Sequence, residues 1–175
     1  MGDLLYNMTE WLRSTSLVDF ALGVSEWPLS MWMVNQFWAI PILQMTHILG
    51  IAMGFGSLLM ITAKVFGIAG HSRTVAETSA RYIPWMWWSL AVIVLSGGLM
   101  LFGDTVRNLI NAVFWIKMIL VVGAILISIW FHKGVLRRVQ QGREIGSSAR
   151  VFSVVLVVMW CMIMFGGRWI AYAPA

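Results

Sequence analysis

Three ionisable side chains, His47, Lys117 and Arg168, stand inside long apolar stretches of this sequence. An unpaired charge at membrane depth costs at least about 2.5 kcal/mol, so such residues are the first place to look for chemistry. Depth is counted from the basic residue that closes each stretch. His47 stands 17 residues before Lys64, Lys117 stands 16 before Lys133, and Arg168 stands 18 after Arg150. At about 1.5 Å per helical residue, all three fall in one layer about 24–27 Å from the inner boundary, toward the outer side of a core about 30 Å thick. The same count from Arg81 reaches Gly97 and Gly98, where a helix or a flat ligand can approach closely. Helical periodicity puts His47 on one face with Gly50 and Gly54, and Lys117 on one stripe with Val121, Ala124 and Ser128.

Neutral imidazole is an axial ligand of haem iron, and Lys or Arg neutralises haem propionates. The layer therefore reads as a haem b pocket. His47 is the metal ligand, Lys117 and Arg168 hold the carboxylates, and Gly97, Gly98 and Trp115 line the site, with Trp38, Gln44, Met100, Trp169 and Tyr172 around them. Met100, Met118 or an open position completes the iron coordination. The competing structural reading has His47 hydrogen-bonded to a neighbouring helix while Lys117 and Arg168 snorkel to the interface; a proton or ion path is a third.

Other residues carry weaker signals. His132 precedes Lys133 near the inner boundary, and His71 lies in the adjacent loop. The roughly 15-residue difference in depth, more than about 20 Å, keeps His132 from sharing one iron with His47. Thirteen methionines suggest Cu(I), yet the two members of each pair, Met31 with Met33 and Met162 with Met164, point to different helix faces. The run Pro84 to Trp88 reads as an aromatic belt opening the second span at the inner interface. Cys161 reads as a small core residue and cannot form an internal disulfide. No nucleophile constellation, acid–base pair or phosphate-cradling loop is present.

The elements that must position these residues follow from composition. Of 175 residues, 60% are hydrophobic and 11% charged, and the mean hydropathy is +0.83, too little polar surface for a domain covered by water. The fold class is all-α, an integral membrane four-helix bundle with an N-terminal amphipathic interfacial helix over residues 1–26. The membrane domain covers 27–175, with spans near 36–66, 82–103, 109–134 and 150–172. Pro41 is expected to kink the first span or mark where an interfacial segment turns inward. Lys64, Arg73 and Arg81 follow the first span, and Lys133, Arg137, Arg138, Arg143 and Arg150 follow the third. Positive loops stay cytoplasmic, which places both termini on the periplasmic side of a bacterial inner membrane. The same asymmetry explains the net charge of +5 without nucleic acid. Residues 1–26 lack the basic start and cleavage site of a signal peptide.

The segments SLVDFAL (16–22), HILG (47–50), PWMWW (84–88), SGGLMLF (96–102), NAVFWIKMIL (111–120), Phe131–His132 and GGRWIAY (166–172) together resemble a family of four-helix bacterial inner-membrane proteins of no assigned function. The resemblance covers nearly the whole chain beyond about residue 15. More distantly, the first-span histidine with a third-span Trp-x-Lys and a following histidine is similar to the HemJ-type protoporphyrinogen oxidases and the CopD-type copper-resistance proteins. The HemJ likeness implies haem or porphyrin binding at His47 and Lys117, although the chain lacks that group's extra spans. The leading expectation is thus a b-type haem electron-transfer protein or redox subunit. It would sit among membrane lipids with a membrane or periplasmic protein partner, or as a homo-oligomer. A cofactor-free accessory subunit of a larger membrane complex and a HemJ-like porphyrin-binding oxidase are the alternatives.

Overall fold

The computed structural model describes residues 2–68, 73–137, 141, 146–170 and 172; His71, Arg138 and Arg143 lie outside them. The elements are α1 (Gly2–Arg13), α2 (Leu17–Ser25), α3 (Pro28–Asn35), α4 (Ala39–Val65), α5 (Val75–Gly103), α6 (Thr105–Leu109), α7 (Ala112–Trp130) and α8 (Ser147–Trp169), with a π-helical turn (Phe131–Leu136) continuing α7. Four helices, Ala39–Val65, Val75–Gly103, Ala112–Gly134 and Ser147–Trp169, are long and apolar enough to cross a membrane. The chain is an all-α, multi-pass membrane protein.

Local chemistry explains where the helices depart from expectation. The N-terminal segment forms two helices rather than one, because three successive hydroxyl residues compete with the backbone ladder. The Ser14 hydroxyl donates to the Trp11 carbonyl at 2.8 Å and the Thr15 hydroxyl to the Leu12 carbonyl at 2.6 Å, closing α1. Pro41 sits in the first turn of α4, where its missing N–H would have had no helical partner.

The second span begins at Val75 rather than near residue 82, and Pro84 lies inside it. A reciprocal cap starts this helix: the Thr74 N–H donates to Glu77 Oε2 at 2.7 Å, and the Glu77 N–H donates to Thr74 Oγ1 at 3.2 Å. Thr74→Ala should therefore lower stability by about 1 kcal/mol, read as a drop in the melting temperature of the detergent-solubilised protein. Cys161 is exposed rather than internal. It shares the outward side of α8 with the exposed Val158, Met162 and Phe165, a face suited to lipid.

The chain divides into two compact units, and each long helix contributes to both. The unit comprising Leu49–Val92 and Leu120–Met162 is centred on Leu58, Ile61, Val65, Ile83, Phe131 and Leu156, with Trp87 and Trp160 against them. Its interior is also lined by small hydroxyls. Ser57, Ser79, Ser89 and Ser153 are buried, and each donates to a carbonyl three or four residues earlier in its own helix. Satisfied within the helix, they let backbones approach closely, which lipid-solvated helices need because lipid tails compete equally for apolar side chains. Gly54 marks the closest approach: an added Cβ would collide with Ser89 Oγ and lie 2.9 Å from the Trp160 ring.

The other unit comprises Met1–Ile48, Ile93–Ile119 and Ile163–Ala175. Here α2 packs on α6, and Leu12, Ile110 and Ala112 form a small core with Leu5, Leu17, Val18 and Val106 around it. Trp27 stacks on Phe102 with ring centroids 6.1 Å apart. The Ile40 side chain occupies the space a Cβ on Gly103 would need. Asn111, almost wholly buried, caps α7 by accepting the Val113 N–H at 2.9 Å. This unit carries the layer singled out in the sequence.

Candidate functional site

His47 on α4 meets α5. Its Nδ1 lies 2.9 Å from the hydroxyl of the buried Ser96. Ser96 in turn donates to the Ile93 carbonyl at 3.3 Å. One residue further along, the ring rests on bare backbone: a Cβ on Gly97 would sit 3.1 Å from His47 Cε1 and 3.5 Å from Nδ1. Gly97 is thus the place where α5 makes room for the imidazole.

Lys117 on α7 meets α8 in the same way. Its Nζ is 3.5 Å from the position of a Cβ on Gly167, and its own Cβ is 3.9 Å from that of Gly166. The ammonium lies near enough to His47 to interact with it electrostatically. All four long helices therefore bring a residue to this layer: His47, Ser96 with Gly97, Lys117, and Gly166 with Gly167.

Lys117 makes no hydrogen bond or ion pair with the described residues. The only described carboxylate within a membrane-spanning helix is Glu77, in the first turn of α5. Two ion pairs among the described residues, Arg13 with Glu10 and Arg107 with Asp104, are short-range surface contacts. A half-buried ammonium in an apolar layer is costly without a counter-charge, so this arrangement is chemically suited to an anionic group that the chain does not itself supply.

The remaining residues singled out in the sequence lie elsewhere. Nothing comes within 4 Å of a Cβ on Gly98. Arg168 is exposed, its guanidinium carbon 5.8 Å from the centroid of the Tyr172 ring. Trp115 turns its indole N–H to the Leu109 carbonyl at 2.9 Å and meets Phe114 edge-on. Met100 and Met118 are half-buried, and His132 is half-buried in the π-helical turn. Of each methionine pair, one member is turned outward: Met31 is exposed and Met33 buried, Met162 exposed and Met164 half-buried.

Comparison with protein-family models, with curated proteins and with solved structures finds no match. Function is therefore argued from the layer itself. Sequence reasoning missed Ser96, Gly166 and Gly167 as members of it. For Gly166 and Gly167 the signal was present in the doubled glycine of GGR, beside Arg168, which was already placed at that depth.

The donor set bears on what the layer can hold. Among the described residues, no three His, Cys, Asp or Glu side chains come together as a metal-binding group. A bare ion would find one protein nitrogen here. A metal that arrives in a macrocycle brings most of its own ligands and needs only one or two from the protein. One imidazole and one cation lacking a counter-charge at the same level fit such a group, with Gly97, Gly166 and Gly167 giving the His47 and Lys117 side chains their room.

Proposed function

We propose that the protein is an integral redox protein of the bacterial inner membrane, with both termini periplasmic, that holds one b-type haem near its outer face and passes electrons to a membrane or periplasmic partner. The observation that carries this reading is the pairing, in one apolar layer, of a half-buried imidazole with a half-buried ammonium that has no carboxylate of its own. When bound, the haem supplies a one-electron iron couple. The protein's part is to present the His47 imidazole to the metal and to neutralise a propionate with Lys117. Met100 or Met118 is available as a second, thioether ligand. Arg168, at the outer end of α8, is the second candidate for a propionate, and its stacking on Tyr172 would have to be exchanged for that contact.

The test is a visible spectrum. The wild-type protein purified in detergent should show a Soret band and release haem on acid extraction, and His47→Ala should lose at least nine-tenths of both while keeping its helical circular dichroism. A colourless wild type containing no extractable tetrapyrrole overturns the reading. If that colourless protein also co-purifies with membrane partners, and still does so as His47→Ala, the accessory-subunit reading replaces it.

A further inference from the structure

Cations gather at one end of the unit comprising Leu49–Val92 and Leu120–Met162. Val65, Val75, Phe131 and Ala149 belong to one buried cluster, so the last turn of α4, the first of α5, the π-helical turn and the first turn of α8 converge there. Arg81, Lys133 and Arg150 are exposed at this end, and none pairs with a described carboxylate. Glu77, the described carboxylate nearby in α5, accepts the Thr74 N–H in the helix cap. Each of the three cations heads an apolar stripe on its own helix. Arg81, Trp85 and Trp88 follow the i, i+4, i+7 pattern of α5, with both indoles exposed. On α7 the exposed Val122, Leu126 and Trp130 run toward Lys133 in the π-helical turn. Arg150 opens a row with the exposed Val154 and Val158 on α8.

We propose that Arg81, Lys133 and Arg150 form a collar that selects anionic phospholipid, each cation holding the phosphate of one lipid whose acyl chains lie along the apolar stripe of the same helix. A zwitterionic lipid offers the same chains but offsets its phosphate with a cation of its own. An anionic lipid brings net negative charge to a place where the protein holds cations without carboxylates. Arginine can take two phosphate oxygens at once, and lysine acts as a point charge. Trp85, Trp88 and Trp130 put indoles just beyond the cations, at the level where headgroups meet chains and where tryptophan is favoured. A Lys or Arg beside an anionic surface contributes about 1 kcal/mol, which corresponds to about fivefold selection at each position. The collar needs neither a haem in the other unit nor a particular side of the membrane.

Native mass spectrometry of the full chain, released from vesicles of equal phosphatidylglycerol and phosphatidylcholine prepared in phosphate buffer, identifies the occupant by its mass. The wild type should retain up to one lipid per cation, with phosphatidylglycerol favoured about fivefold at each position. Replacing Arg81, Lys133 and Arg150 together by Gln should bring the two lipids to parity while the helical circular dichroism is kept. Arg81→Gln alone should lose one selective position. Arg13→Gln with Arg107→Gln removes cations that already pair with Glu10 and Asp104, and should leave the preference intact. Equal retention of both lipids by the wild type, or an unchanged preference in the triple variant, overturns the collar. Bare phosphate retained in place of lipid would assign the cations to a free anion. A doubled protein mass without selective lipid would assign the stripes to a contact between copies. Either result also overturns it.

Discussion

Lys117→Leu is expected to stabilise the ligand-free protein while weakening its hold on an anionic ligand. On the proposed haem reading the two effects have opposite signs, because the ammonium would serve binding and oppose folding. In the ligand-free chain Lys117 contributes a half-buried charge with no described counter-ion. Charges at membrane depth cost about 2.5–3.5 kcal/mol at the centre of a span, less toward its ends; for a half-exposed residue in the second turn of α7, removal should return about 2 kcal/mol. Leucine is close to the lysine stem in length, so the packing against Gly166 and Gly167 is largely kept. With haem the sign reverses: a charge-assisted contact to a propionate is lost, and affinity should fall by about 10-fold or more, since such bonds contribute about 1.5–3 kcal/mol. Thermal unfolding in detergent with and without added haem checks both halves. A Lys117→Leu protein that is less stable in both states would show that the lysine serves packing and not a ligand.

The fold was legible because its cause is coarse. A 20-residue apolar run has few alternatives to a membrane helix, and all four runs form one. The boundaries were harder to read for reasons visible in single residues. Thr74 and Glu77 look like loop residues until their reciprocal cap is recognised, and a helix opened by that cap carries straight through Pro84. Ser14, Thr15 and Ser16 look like tolerable polar positions in one long amphipathic helix. Two of them satisfy carbonyls of α1 instead and end it. Cys161 was read as internal from its type alone, whereas its helical neighbours Val158 and Phe165 mark a lipid-facing stripe.

At the site, residue counting gave height and not direction. Each helical residue adds about 1.5 Å of rise but also about 100° of rotation. Gly167 faces Lys117, so Arg168, one residue later, is turned about 100° away and lies over Tyr172. Gly97 faces His47, so Gly98 is turned by the same angle into open space. Periodicity supplied the missing direction for His47, whose shared face with Gly50 and Gly54 follows the i, i+3, i+7 pattern; both glycines are buried. Ser96 had no sequence signal of its own, because a serine within a span usually satisfies its hydroxyl on its own helix, as Ser57, Ser79, Ser89 and Ser153 do.

Gly54→Leu should be the most damaging single change to the fold. Even one added carbon at Gly54 meets Ser89 Oγ and the Trp160 ring, and neither can withdraw cheaply. Ser89 is wholly buried with its hydroxyl bonded 2.7 Å from the Met86 carbonyl. Trp160 is held beside Phe55, ring centroids 6.2 Å apart, and packs on the core around Leu58 and Leu156. Overpacking in a well-packed interior typically costs about 1–3 kcal/mol. A leucine here also forces apart helices that approach through small residues, so the loss should reach the upper end of that range, about 3 kcal/mol. Gly56→Leu on the same helix is the control, since nothing lies within 4 Å of a Cβ there. Its cost should stay within about 0.5 kcal/mol, the usual range for substitutions away from packed features. Folded yield and thermal unfolding of the two variants decide the matter: equal stability would mean that α4 does not pack through Gly54, whereas loss confined to Gly54→Leu locates a close helix contact at that residue.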